Sequence, residues 1–226
     1  MKIYGHPWSV NSRKSFMTLA EKGLEAELVL VMIPKGEQKT SAHVARHPFG
    51  KVPVLDDDGF VVYETRAVNA YLDRKKPPVS LSPTDPRDAA RVDQWINVAD
   101  SYFVPHAQAL VVERLFRRYL GGEANAQVIE TSRAAMQPAL DVIDRFLESA
   151  PYLGGSAFSL ADIHWMPYVE YLTRVGEGEP FAKRKNVDAW WRRVSARPTW
   201  AKVARSGPQP DEAGMTADVI EKAYRR

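Results

Sequence analysis

The chain has 226 residues, 45% of them hydrophobic and 26% charged, with a formal net charge of +3 and no cysteine. This composition is ordinary for a globular protein and too weakly charged to argue for nucleic acid, and the missing thiol excludes disulfides, thiolate metal sites and a catalytic cysteine. No apolar run approaches the ~20 residues of a membrane-spanning helix, and Met1-Lys2 leads straight into strand-like residues, so a cytoplasmic protein without a membrane partner is expected.

Lys2-Ile3-Tyr4-Gly5 reads as a short strand, followed by the loop His6-Pro7-Trp8-Ser9-Val10-Asn11-Ser12. Arg13 to Lys22 reads as a helix with Phe16, Leu19 and Ala20 on one face, and Gly23 suits its C-terminal cap. Ser9, Asn11 and Ser12 are rival caps for its start. Glu27 to Met32 is a second strand, residues 34–39 a polar loop, and Thr40 to Arg46 a short helix.

His47 to Leu72 carries the densest signal. Val52-Pro53-Val54-Leu55 is strand-like, Asp58-Gly59 closes a hairpin, Phe60 to Tyr63 is the return strand, and Glu64-Thr65-Arg66 opens a helix with Ala67, Val68, Tyr71 and Leu72 at helical spacing. The element order is βαβαββα. Pro53 at the mouth of a buried strand has two readings. A trans bond makes it an edge residue, whereas a cis bond turns the Val52 N–H and C=O outward, free to pair with the backbone of a bound peptide. Glu64-Thr65 likewise reads either as an ordinary helix cap or as a holder for an amino-acid head. In the second reading the helix N-terminus takes the carboxylate and Glu64 takes the ammonium.

Residues 75–86 form a proline-rich linker that includes Pro77, Pro78, Pro83 and Pro86. Beyond it the chain is helical. Val92, Ile96, Ala99 and Phe103 make one stripe, interrupted at Pro105, where a kink is expected, and resumed at Leu110, Leu115 and Tyr119 until Gly121-Gly122. Ala126 to Glu148 is read as one helix. Ser159-Leu160-Ala161-Asp162 has the outline of a capping box flanked by Phe158 and Ile163, so Asp162 is expected to fix the start of a buried helix. Trp190, Trp191 and Trp200 mark the last packed helices, residues 207–214 a turn-rich spacer, and Met215 to Arg226 a short charged helix or frayed tail. His6, His106 and His164 have no partner at metal-ligand spacing, so no metal is expected.

His47-Pro48-Phe49-Gly50-Lys51-Val52-Pro53-Val54-Leu55, a short hairpin and Glu64-Thr65-Arg66-Ala67 together resemble the glutathione-binding signature of the cytosolic glutathione transferases, the phi class above all. Phe103-Val104-Pro105, Tyr152-Leu153-Gly154-Gly155 with Ser159 to His164, and Ala196 to Trp200 extend the resemblance over roughly residues 1–205. It implies an α/β thioredoxin-like N-terminal domain, residues 1–76, that binds glutathione. An all-α C-terminal helical-bundle domain, residues 88–226, would line the electrophile pocket. The implied activity is conjugation of the glutathione thiolate to a hydrophobic electrophile, with peroxide reduction as a close variant. Glutathione is then a co-substrate, no metal is needed, and the protein is a homodimer. The alternative class is a non-catalytic ligand-binding or protein-interaction module on the same fold.

The resemblance also implies residue roles. Ser9 stands in His-Pro-x-Ser, four residues before Arg13, where the phi pattern carries its thiolate-stabilising serine; Tyr4 is a rival donor. Lys39 matches the family lysine for the glycine carboxylate, Gln38 replaces the family histidine, and Lys51 stands where phi enzymes usually have glutamine. Val52 and Pro53 would pair with the glutathione backbone, and Glu64 and Thr65 would hold the γ-glutamyl end. Trp8, Phe103, Phe116 and Tyr119 are candidate apolar walls for the electrophile, although an aromatic at helical spacing also suits a core.

Overall fold

A computed structural model describes residues 1–77, 80–117 and 122–205. The expectations for Pro78, Tyr119, Gly121 and the tail from residue 206 onward lie outside the described residues. The described residues form two compact units, one of residues 1–77, 80 and 198–205 and the other of residues 81–117 and 122–197.

In the first unit, strand β1 (Lys2–Gly5) runs parallel to β2 (Glu27–Leu30) and antiparallel to β3 (Val54–Asp57), which pairs with β4 (Phe60–Tyr63), giving the order β2-β1-β3-β4. The β3–β4 hairpin turns at Asp58-Gly59 with φ of 52° and 93°, and the Asp56 carboxylate accepts the Gly59 N–H at 2.9 Å. Positive φ at both central residues matches the strand twist, which is why Asp-Gly was informative. Helix α1 (Val10–Lys22) ends at Gly23 in the left-handed region, with Gly23 and Leu24 N–H groups returned to the last turn. Two short 3₁₀ turns (Ile33–Lys35 and Glu37–Lys39) and the one-turn helix α2 (Ser41–Val44) occupy the connection read as a polar loop and helix. Helix α3 (Thr65–Lys75) packs on α1, and Ile3, Leu19, Leu55, Val68 and Leu72 form the apolar core between sheet and helices. Two polar links tie the same helices: Ser15 Oγ donates to Asn69 at 2.7 Å, and the buried Lys22–Asp73 pair closes at 3.0 Å.

The α1 face is broader than the Phe16, Leu19, Ala20 stripe, because Arg13 and Lys14 are also buried. The Arg13 guanidinium lies 5.2 Å from the centre of the Trp200 ring on α11 (Pro198–Arg205), and Thr199 bonds Glu21. This packing groups α11 with the first unit.

The second unit starts with α4 (Pro86–Val98), capped by Asp85, whose carboxylate accepts the Arg87 and Asp88 N–H groups. A π turn (Ala99–Phe103) joins it to α5 (Val104–Val111), and another (Val112–Phe116) follows. The expected interruption at Pro105 therefore takes the form of a π turn just before it, in which the Val104 N–H reaches back to Ala99. Proline has no N–H for the next helical bond, and an extra residue in the turn is one way for the chain to continue. The single helix expected over 126–148 is two, α6 (Ala126–Ala135) and α7 (Gln137–Leu147), because Pro138 is tolerated only in a first turn and so restarts the helix at Met136. Helices α8 (Leu160–Arg174), α9 (Glu179–Ala182) and α10 (Lys185–Ser195) complete the unit.

The capping box of α8 is present. Asp162 is wholly buried and accepts four bonds, from Ser159 N and Oγ, from Leu153 N at 2.9 Å and from Trp190 Nε1 at 2.7 Å. Burial raises its pKa, and the four donors oppose that. A Cβ at Gly154 would stand 2.5 Å from Ser159 Oγ, so only glycine lets this turn close on the cap.

Candidate functional site

The loop between β1 and α1 is set by His6. Its Nδ1 accepts the Trp8 N–H at 3.1 Å, its own N–H donates to Ser12 Oγ at 3.3 Å, and its carbonyl accepts the Ser9 N–H at 2.9 Å. Burial drives the His6 pKa down to about 4, so the ring is neutral, and because Nδ1 accepts, the proton sits on Nε2. The turn delivers Ser9 to the N-cap of α1, where its Oγ accepts the Ser12 N–H at 3.2 Å. The helix thus starts at Val10 rather than Arg13, and the rival caps Asn11 and Ser12 lie inside its first turn. Ser9 is half-buried, and its O–H proton has no acceptor among the described residues. A hydroxyl that accepts from a helix N-terminus and keeps its own proton to give is suited to bind an anion. Tyr4, the rival donor, lies in β1 with the Arg46 guanidinium 4.6 Å from its ring centre.

A second set of residues gathers at the loop before β3. Lys39 Nζ donates to the Phe49 carbonyl at 3.0 Å, leaving two ammonium protons for other acceptors. Gly50 adopts φ 58°, and a Cβ there would meet the Gln38 carbonyl at 2.7 Å, so Gln38-Lys39 packs directly on Gly50. Gln38 is half-buried, with its side-chain carbonyl enclosed and unbonded. Lys51 is exposed, and its carbonyl accepts from His43 Nε2 at 2.7 Å. The Val52–Pro53 bond is cis. Val52 contributes neither its N–H nor its C=O to hydrogen bonds among the described residues.

The third set is the start of α3. Glu64 has φ 68°, a conformation uncommon for residues other than glycine. It occupies the N-cap position without capping through its side chain, and its carboxylate is 65% exposed. The Glu64 backbone caps the helix by accepting the Val68 N–H at 2.9 Å, while its side chain takes no part in the cap. The Nε2 of buried His47 is 3.9 Å from this carboxylate, and the His47 ring lies 4.7 Å from that of Tyr63. Desolvation lowers the His47 pKa, partly countered by Glu64. Thr65 opens the helix with first-turn N–H groups that no side chain caps.

The apolar walls fare differently. Phe103 has no exposed surface; it stacks on Trp165 at 4.4 Å and meets Tyr168 and Phe181 edge-on, so it is core. Trp8 is 6% exposed and packs edge-on against His6 at 5.8 Å, so it too offers almost no open surface. Both corrections have one cause: a large ring gains more from a dry packed interior than from a wet cleft. Phe116 is half-buried in the second π turn, and Tyr119 lies outside the described residues. His6, His43 and Gly50, by contrast, were assigned no role from sequence. His6 and Gly50 stood inside motifs that were recognised, but His43 had no local signal. No group of three metal-ligating side chains occurs among the described residues, and none of their helices is long and apolar enough to cross a membrane.

The family model for the glutathione S-transferase N-terminal domain matches residues 8–75, and that for the C-terminal domain matches residues 92–198. Glutathione S-transferase F10 of Arabidopsis thaliana is 35% identical over 208 residues, covering 90% of this chain and 96% of the relative. The crystal structure of glutathione transferase F7 from Populus trichocarpa superposes with a TM-score of 0.86 at 31% identity, over 91% of this chain and 98% of that one. Glutathione S-transferase I from mais, solved in complex with an atrazine glutathione conjugate, superposes with a TM-score of 0.85 at 29% identity, over 94% and 99%. The unpartnered Ser9 hydroxyl proton, the cis Val52–Pro53 bond and the exposed Glu64 thus sit in a sequence and a fold whose relatives are phi-class enzymes, and the chain belongs to the glutathione S-transferase family.

Proposed function

We propose that this protein conjugates glutathione to hydrophobic electrophiles, with Ser9 as the donor that holds the glutathione sulfur as a thiolate. The observation that carries the reading is the Ser9 hydroxyl itself, which accepts from the α1 N-terminus at 3.2 Å and keeps its proton to give. A free thiol of pKa about 8.5 is only a few per cent ionised at neutral pH, and lowering that pKa by about two units, or roughly 2.7 kcal/mol, makes the thiolate dominant. One charge-assisted O–H···S⁻ bond at a helix N-terminus contributes in that range. The thiolate then attacks the electrophilic carbon, forming a C–S bond while the leaving group departs with the bonding pair. With an unsaturated acceptor the pair moves onto the acceptor, which takes a proton from solvent. Serine stays a hydrogen-bond donor throughout and needs no base.

Glutathione lies along the first unit in this reading. Its γ-glutamyl carboxylate meets the Thr65 N–H and hydroxyl, and its ammonium meets Glu64. Its cysteinyl backbone pairs with the Val52 N–H and C=O, and its glycine carboxylate meets Lys39 and Lys51 beside Gln38. Two opposite charges at one end and two lysines at the other suit a zwitterionic head joined to a second carboxylate. Residues 1–76 serve as the glutathione-binding domain, and the helical residues from 88 on contribute the electrophile side, with Phe116 and Tyr119 the remaining candidate walls. The protein acts in the cytoplasm as a homodimer. The relative crystallised with an atrazine conjugate supports an aromatic electrophile carrying a leaving group.

The experiment is a turnover screen with glutathione against aryl halides, unsaturated carbonyls and an organic hydroperoxide, alongside glutathione titration and sedimentation. Conjugate formation that falls in Ser9→Ala supports the proposal. Tight glutathione binding with no turnover of any electrophile would instead leave a non-catalytic binding module.

A further inference from the structure

His43 sits on the one-turn helix α2, 5% exposed, with its backbone N–H taken by Thr40, the N-cap. Its only polar side-chain contact among those described is Nε2 to the Lys51 carbonyl, at 2.7 Å. A carbonyl can only accept, so Nε2 carries the proton and the tautomer is set. The Lys51–Val52 peptide is trans, the cis bond being the next one. In a planar trans peptide the C=O and N–H point in opposite directions. Holding the Lys51 oxygen therefore aims the Val52 N–H away from α2, on the side where no described group meets it. The surrounding loop is clamped in the same way, by Lys39 on the Phe49 carbonyl and by Gly50 N–H on the His47 carbonyl at 2.7 Å. Among the described residues only His43 acts on the peptide that contains the Val52 N–H.

We propose that His43 is a positioning residue for glutathione: by binding the Lys51 carbonyl it orients the Val52 N–H to donate to the cysteinyl carbonyl of the co-substrate. The inference rests on the reading that glutathione pairs with Val52. Without the imidazole, the Lys51–Val52 peptide is free to rotate its carbonyl toward water, since exposed Lys51 offers it no other partner, and the N–H swings with it. Binding then loses direction at this one contact, while Ser9, Glu64 and Thr65 are untouched.

The test compares glutathione with an analogue whose Cys–Gly amide is replaced by an E-alkene, which keeps the trans geometry and the neutrality but has no carbonyl oxygen, each titrated into the wild-type protein, His43→Phe and His43→Gln. Phenylalanine keeps the ring without the donor, and the glutamine amide N–H reaches about as far as Nε2. Wild type should prefer glutathione about tenfold, as expected for one well-aligned bond. His43→Phe should lower that preference to about twofold or less, with kcat at saturating glutathione unchanged, and His43→Gln should restore it. No preference in the wild type overturns the Val52 pairing on which the proposal stands. A tenfold preference kept by His43→Phe overturns the role of His43 alone. Should His43→Phe not fold, the wild-type ring decides by nitrogen NMR: an Nε2–H tautomer in the free and glutathione-bound protein supports the proposal, and an Nδ1–H tautomer refutes it.

Discussion

Among the described residues two serines cap helices, and they do opposite things. Ser159 caps α8 and is 2% exposed; its Oγ accepts the Ala161 N–H and donates to Asp162, so its hydrogen bonding is used up inside the protein. Ser9 caps α1 with the same kind of bond, to Ser12, but is half-buried and has its proton left over. Local geometry does not separate them. What separates them is whether an acceptor waits for the hydroxyl proton. A carboxylate beneath Ser159 makes that cap part of the fold, and the absence of an acceptor among the described residues at Ser9 makes that cap available to a ligand. An unspent donor at a helix start is thus a more specific functional sign than the cap itself.

The comparison breaks most visibly at Asp162. Asp162→Ala leaves the N–H groups of Leu153, Ser159 and Trp190 buried without an acceptor, at about 1–3 kcal/mol each, so unfolding should become easier by roughly 3–5 kcal/mol. Urea denaturation checks this, and a loss under 1 kcal/mol would mean that water replaces the carboxylate and that the cap is not structural. Ser9→Ala should do the reverse, lowering turnover about tenfold to a thousandfold while changing stability by about 1 kcal/mol, the cost of an N-cap. Full activity in Ser9→Ala beside a dead Ser12→Ala would move the donor to Ser12.

The loop that carries Ser9 should also be sensitive to acid. His6 has a folded pKa of about 4 against 6.5 for the free side chain, so the unfolded chain binds more protons between those values. Stability therefore rises with pH across this window and is lost as pH falls through it, by about 2 kcal/mol at pH 5. Thermal melts of wild type and His6→Asn at pH 7.5 and pH 5 measure the difference, and equal acid losses in both proteins would assign the effect elsewhere.

The two ends of the proposed glutathione site give smaller contrasts. In the proposed pose Glu64→Ala leaves the co-substrate ammonium unpaired and should raise the glutathione dissociation constant about tenfold. Lys39→Ala should raise it less, because Lys51 is a second cation and both are exposed, and added salt should weaken the lysine end more. A Lys39→Ala defect larger than that of Glu64→Ala, with no response to salt, would reverse the assignment of the ends.

The order βαβαββα, the Asp58-Gly59 turn, the Gly23 cap and the Asp162 box were legible because each depends on neighbours within about four residues. The split of α6 from α7 is equally local, since it follows from Pro138. Other features were decided by residues distant in the chain. Ser9 rather than Asn11 caps α1 because the buried His6 ring shapes the turn before it. Trp200 brings α11 to the first unit because a buried Arg13 face awaits it on α1. Phe103 is core because Trp165, Tyr168 and Phe181 enclose it. Helical spacing states which side chains share a face, but only the assembled fold states what that face meets. His43, eight residues from the carbonyl it holds, had no signal of its own, since a hydrogen bond to a backbone oxygen selects a position in space and leaves no pattern in the chain.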